Sequence, residues 1–521
     1  MTYLKKHCII ITMSFPVEQK VGNHIYVYEA EGYWDKTKKQ SRQHRKYLGK
    51  KDPKTGKIIS TNRGYKSWDY GNTYFLNIIS KQIGLEKILK QIFPDNWRDI
   101  LACAFFEISE KKSLYLCKPW LECTHQETNT KNLSSQRISE LLEEIGKSEE
   151  ARSQFFKAWA EKYKKNKFII FDITSFSSYS KKLELIEPGY NRDKEKLPQV
   201  NFGVIYGEPF SLPLFYTKYP GSISDVKTLQ NMVEYLEWLK LTNSLFVLDK
   251  GFFSSYNIKK MEKNMKFLIP LPYSNKNALE LVKKHNVKLG SYSNSFQLNN
   301  NILYCIKDEI EIGGEKYNAY IYLDESRRVE KRNIFLKKML EVESIVKNID
   351  CKNKEELDTF LTEHIKGWKN IFQILERSGK IKLRKKEKGI NSYLERLGTF
   401  ILVSNKNIDR KEALYFYRRK DVIEKFFDNI KNDINRKRLR VHKQETFEGR
   451  LFVDFIALII YSWIKRIMRN EGINKSHTVQ ELIYEFKKIK LIQIGEKKRI
   501  ITEVSKKQRD LLEKFNIKPP G

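Results

Sequence analysis

The stretch Phe168-Ile169-Ile170-Phe171-Asp172-Ile173-Thr174-Ser175 decides the fold. Its apolar run is nearly continuous, as a strand covered on both faces requires, and such strands belong to α/β proteins. Downstream, Val200 to Tyr206 and Phe210 to Tyr216 read as a hairpin across Gly207-Glu208-Pro209. Asp225 caps a helix running through Leu239, and Leu245 to Leu248 is another short apolar strand. A helix near Tyr256 to Met265 and a strand over Phe267 to Leu271 follow. Strand, hairpin, helix, strand, helix, strand implies an α/β sheet with mixed rather than purely parallel pairing.

That succession is the order of a ribonuclease H-like core, and two acids stand at its strand ends. Asp172 closes the first strand, and Asp249 closes the later one in Val247-Leu248-Asp249-Lys250-Gly251-Phe252. The two strands lie side by side in a sheet of this order, so their carboxylates converge despite the separation in sequence. A third acid comes from Tyr417, Lys420, Glu424 and Lys431, which fall within about 60° of one another on an α-helix. Shared carboxylate oxygens suit two Mg²⁺ ions, with Mn²⁺ as a substitute, and such a pair activates water or a 3′-hydroxyl against a phosphodiester. Capping or a turn is the ordinary use of an acid at a strand end, and a solvated basic helix is the ordinary reading of the stripe around Glu424.

Outward from this core, residues 1–69 read as a β-rich module, with alternation over Ile25, Tyr26, Val27 and Tyr28 and a basic segment, Lys36 to Lys46, that suits DNA contact. Residues 70–164 switch to a helical period and suit a helical DNA-binding region; one helix opens at Ser134 or Ser135, turns Ile138, Leu141, Leu142 and Ile145 inward and ends at Gly146. The core's first part spans 165–272. Residues 273–396 are expected to be an insertion domain: a hairpin, Ile302 to Ile306 with Tyr317 to Leu323, then charged helices from about Ser326 to Leu383. Residues 397–468 resume the core with a helix from about Lys411 to Ile434, and 469–521 form a basic, mostly helical tail.

The composition fits a polyanion as partner. The 521 residues carry 98 Lys and Arg against 64 Asp and Glu, a formal charge of +34 spread along the whole chain. The longest apolar stretch, Leu451 to Ile464, is broken by Asp454 and too short to span a bilayer, so no membrane association is expected. The six cysteines, at 8, 103, 117, 123, 305 and 351, form no regular framework and read as reduced thiols of a cytoplasmic protein. Cys117, Cys123 and His125 are close in sequence but lack the second ligand pair of a zinc site.

Asp172, Asp249-Lys250-Gly251-Phe252 and Tyr417-x2-Lys420-x3-Glu424-x6-Lys431 together resemble the DDE transposases of bacterial IS4-type insertion sequences. Gly189-Tyr190-Asn191-Arg192-Asp193, Leu197-Pro198-Gln199-Val200 and Pro220-Gly221-Ser222-x2-Asp225 are similar to the IS1634-like branch in order as well as type. Lys420 departs from the signature, which has Arg there; a lysine keeps the charge and loses the bidentate fork. The resemblance implies Asp172, Asp249 and Glu424 as catalytic metal ligands, with Tyr417, Lys420, Lys431, Lys250 and Arg192 on DNA. It further implies binding to terminal inverted repeats, nicking by activated water, joining of 3′-hydroxyls to target DNA by cut-and-paste, and a dimer in the synaptic complex. Trp368 is a candidate to stack on a flipped base, with buried core as its ordinary role. Two other readings stay open: a catalytically silent, transposase-derived DNA-binding protein, and a host ribonuclease H-like nuclease.

Overall fold

The run that begins at Phe168 forms the strand Phe168–Ser178, in which every residue except Asp172 is buried. It pairs antiparallel with Gln199–Glu208 and parallel with Leu245–Val247. Gln199–Glu208 pairs in turn with Leu212–Pro220, and Leu245–Val247 runs parallel to Lys266–Leu271. Helices Asp225–Trp238 and Ser255–Glu262 make the connections. The molecule is a computed structural model that describes residues 14–521 apart from 36, 60–64, 128–129, 131–132, 179–182, 190–196, 224, 299–300, 349–353, 366, 378–379, 429–430, 432–437, 440–442 and 496–497.

The sheet continues past Lys266–Leu271 to ten strands, which changes the expected layout of residues 273–396. Lys266–Leu271 pairs with Thr399–Ser404, and Thr399–Ser404 pairs with Glu315–Leu323. The expected hairpin therefore extends the main sheet. Asn301–Ile312 and Glu315–Leu323 turn at Gly313 and Gly314, both with positive φ (63° and 92°). Alanine through leucine at 319–323 are all buried, which only a strand covered on both faces achieves. What stands apart is residues 325–396, with a core of its own built on Phe335, Met339, Val342, Leu361, Trp368 and Phe372. The charged helices end at His364 instead of continuing to Leu383. Beyond them Phe372–Arg377 and Lys380–Lys385 pair as a hairpin, because Phe372 and Ile374 alternate with Gln373 and favour a half-buried strand.

The helix Gln444–Asn470 is buried continuously from Phe447 to Ser462 and packs against Ser135–Lys147, Trp97–Glu110 and Leu212–Pro220. Two glycines allow the first of these approaches. A Cβ at Gly146 would lie 1.8 Å from the Glu445 carbonyl oxygen, and one at Gly449 would lie 1.9 Å from that of Leu142. Arg450, buried in this helix, pairs with Glu107 and with Asp454 at 3.2 Å. The helices at 97–110, 135–147 and 149–162 thus share the compact unit of the large sheet, Ile79–Lys118 with Thr130–Val479.

A second unit gathers Met1–Ile78, Pro119–Asn129 and Gln480–Gly521. Four antiparallel strands, Ser14–Val21, His24–Asp35, Gln40–Lys51 and Ile58–Ile59, follow one another in order. A three-stranded sheet sets Lys490–Ile494 between Lys498–Ile501 and Tyr65–Asp69, so the tail contributes strands as well as helices. Phe75 packs its ring on Phe486 and Phe515, at 4.8 and 4.9 Å between centroids.

Candidate active site

Asp172 lies within its strand rather than at the end, because Phe168–Ser178 continues past it. Its position still opens to solvent. Among the described residues, Leu245–Val247 pairs with Phe168–Ile170 and Arg438–Leu439 with Ser177 and Ser178, and Asp172 between them is the one partly exposed residue of its strand. Asp249 is two residues beyond the Ile170–Val247 register pair, as Asp172 is, so the two acids project from adjacent parallel strands at one level. Asp249 precedes the short 3₁₀ turn Lys250–Phe252, yet its side chain caps no backbone N–H there. The capping role, plausible from sequence, is not the one its carboxylate fills.

The carboxylate goes instead to Lys420, whose Nζ is 3.0 Å from Asp249 and 3.2 Å from Glu424. Here the expected continuous helix is corrected. Arg410–Arg418 and Asp421–Asp428 are separate helices, broken at Arg419 and Lys420. Tyr417 therefore lies on one helix and Glu424 on the next, while Lys420 and Glu424 keep their i, i+4 contact across the break. Lys420 is buried, at 8% exposure. Burial alone lowers its pKa, but Asp172, then Asp249 and Glu424, outweigh that and hold it well above the ordinary lysine range. Asp249 and Glu424 thus flank one cation, and Asp172 acts on it electrostatically. Glu424 is the exposed member, at the mouth, and Asp172 accepts from the Ile173 N–H at 2.9 Å.

Tyr417 faces the same cluster. Its phenol is raised above the ordinary tyrosine value by burial and by Asp249, against the opposing pull of Lys420. Sequence reasoning missed its neighbours. Arg418 donates to Asp324 at 3.1 Å, and Arg419 donates to the buried Glu208 at 2.6 Å, so two of three consecutive cations clamp the helix and only Lys420 turns to the acids. Lys250 is exposed on its turn, and Lys431 is buried. Glu424 and Lys431 do not share one described helix, since Asp421–Asp428 ends before Lys431 and 432–437 lie outside the described residues. Arg192 also lies outside the described residues.

Among the described residues no three His, Cys, Asp or Glu side chains are grouped closely enough to form a metal cage as they stand. Asp172, Asp249 and Glu424 are gathered about an ammonium. Three carboxylates against one buried charge leave an excess of two negative charges, and hard oxygen donors of that excess fit Mg²⁺ or Mn²⁺. Cys103 and Cys117 are both free, buried thiols. Trp368 is buried in the 325–396 core, its Nε1 donating to Thr362 at 3.2 Å, which is the structural role. No helix of the described residues is long and apolar enough to cross a membrane.

Residues 163–460 match the family model described as "Transposase DDE domain", which contains all three acids and more than half the chain. The chain belongs to this family, whose activity is DNA cleavage and transfer. Among solved structures, a piggyBac transposase synaptic complex with hairpin DNA is similar at 8% identity, covering 80% of this chain and 70% of that one, with a TM-score of 0.34. No curated protein matches in sequence.

Proposed function

We propose that this chain is the transposase of a bacterial IS4-type insertion sequence of the IS1634-like branch, a cytoplasmic, nucleoid-associated enzyme acting on its element's terminal inverted repeats. The observation that carries the reading is the convergence of Asp172, Asp249 and Glu424 on the Lys420 ammonium. A ribonuclease H-like core is supported by the strand order, in which Leu212–Pro220, Gln199–Glu208, Phe168–Ser178, Leu245–Val247 and Lys266–Leu271 are consecutive and the last three run parallel.

Bound Mg²⁺ would supply Lewis acidity toward the scissile phosphate and lower the pKa of water. Asp172 and Asp249 would hold it from fixed backbone. Glu424, on the helix Asp421–Asp428, would supply the third carboxylate. Lys420 would offer its ammonium to a phosphate oxygen, and the Tyr417 phenol, kept protonated by its surroundings, would donate a hydrogen bond to the same strand. Water adds to phosphorus and the 3′-oxygen leaves as a hydroxyl. In the joining step that hydroxyl would attack the phosphorus of a target phosphodiester and displace the target strand's own 3′-oxygen as a hydroxyl, within a dimeric synaptic complex.

The test is nicking of a labelled duplex carrying the inverted repeats that flank the coding region, with Mg²⁺ or Mn²⁺, by wild type and Asp172→Ala. The proposal requires cleavage at the repeat end by wild type and none by the variant. Equal cleavage by both contradicts it.

A further inference from the structure

We propose that one face of the N-terminal β-ribbon reads base edges in the major groove of duplex DNA. Strands His24–Asp35 and Gln40–Lys51 pair as far as Asp35 with Gln40, whereas the described flanking strand, Ser14–Val21, pairs with Glu31 at its first residue. Among the described residues, 32–35 and 40–43 therefore form a two-stranded ribbon, exposed apart from Asp35 and with residue 36 outside the described residues.

Side chains paired across antiparallel strands share a face, and alternate residues change face. The register puts Glu29, Glu31 and Asp35 together with Arg42, His44 and Lys46 on one side. Several groups on that side already have partners. Arg42 lies 3.5 Å from Asp35, Asp35 also accepts from the N–H groups of Thr37 and Lys38, and Tyr33 stacks on His44 at 4.9 Å.

The opposite side carries Trp34, Ser41, Gln43 and Arg45 with the small Ala30 and Gly32, and no acid from 28 to 35 or 40 to 47. Trp34 is 62% exposed. Arg45 donates to the Gln43 side-chain oxygen at 3.2 and 3.3 Å, which sets a guanidinium and a carboxamide side by side pointing outward. These two groups are the ones that pair bidentately with guanine and adenine edges, and a two-stranded ribbon fits a groove about 12 Å wide. Lys38 and Lys39, exposed in the turn, supply cations for the flanking phosphates. An anionic surface without base edges would use the charge and leave the amide and indole idle.

The inference rests on the reading that the chain acts on DNA, and the experiment separates the two. Wild type selects from a duplex pool with a randomised core, and affinities for the enriched duplex, a scrambled duplex and the corresponding single strand are measured by fluorescence anisotropy at fixed salt. Gln43→Ala/Arg45→Ala is expected to lose about tenfold or more of the preference for the enriched over the scrambled duplex. Trp34→Ala is expected to weaken binding to the enriched duplex. Arg45→Lys, which keeps the charge without the fork, is expected to lose preference as well, and Glu31→Gln on the other face to keep it. Unchanged preference in the ribbon variants overturns the ribbon proposal while the DNA reading stands. Equal losses on duplex and single strand also overturn it, as the mark of a stacking platform. Failure of wild type to bind any duplex overturns the DNA reading and the ribbon with it.

Discussion

Lys420 fills, with its ammonium, the space between carboxylates that would otherwise repel one another across a half-buried mouth. Replacing it by Met is expected to destabilise the metal-free protein by about 1–3 kcal/mol, less than for a fully buried pair because Glu424 is exposed. Added Mg²⁺ or Mn²⁺ should narrow that gap, and thermal melts with and without the ion check both parts. The raised lysine pKa contributes stability that is complete below the ordinary lysine value and lost only as pH rises through the folded one, so the gap should not vary across neutral pH. At this scale Asp172 and Asp249 stood out in the sequence because a carboxylate beside an apolar run is locally out of place. Their arrangement about Lys420 did not. Neither did the partners of Arg418 and Arg419, since Asp324 and Glu208 are 94 and 211 residues away and no local pattern links them.

Elements differ in how independently they hold. The 325–396 segment packs on Trp368, so Trp368→Ala is expected to cost this segment about 3–5 kcal/mol and to expose it to limited proteolysis while the ten-stranded sheet resists. Helix Lys276–Leu289 is tied to strand Asn301–Ile312 through Asp308, whose carboxylate is 2.7 Å from both Lys284 and His285. Burial raises the Asp308 pKa, but the hydrogen bonds from Lys284 and His285 outweigh it and bring it from 3.8 to about 2. This depressed value contributes stability present above 3.8 and lost as pH falls through about 2. The stability difference between wild type and Asp308→Asn, read by denaturant unfolding, should therefore shrink as pH is lowered across that window. The core strands were legible from Phe168 to Leu271 because each is a short, nearly continuous apolar run. The attachment of Glu315–Leu323 to the main sheet was not, since its partner Thr399–Ser404 follows only after the whole 325–396 segment. The break at Arg419 and Lys420 was likewise hidden, because neither residue is a helix breaker.

Across the whole molecule, the +34 charge predicts duplex binding that weakens steeply with salt, by about 10³-fold or more between about 50 and 200 mM, measurable as the slope of log affinity against log salt. A flat dependence would remove DNA as the partner for that charge. The central claim is narrower: Asp172, Asp249 and Glu424 act as one metal-holding, strand-cleaving site. Groups that work as a unit fail as a unit, so a second loss adds little to the first. The most direct measurement is the rate of inverted-repeat nicking by Asp172→Asn, Asp249→Asn, Glu424→Gln and the Asp172→Asn/Asp249→Asn double variant. The account predicts that all four fall to one common floor. A single variant retaining wild-type cleavage, or a double variant whose loss is the product of the two single losses, would contradict it.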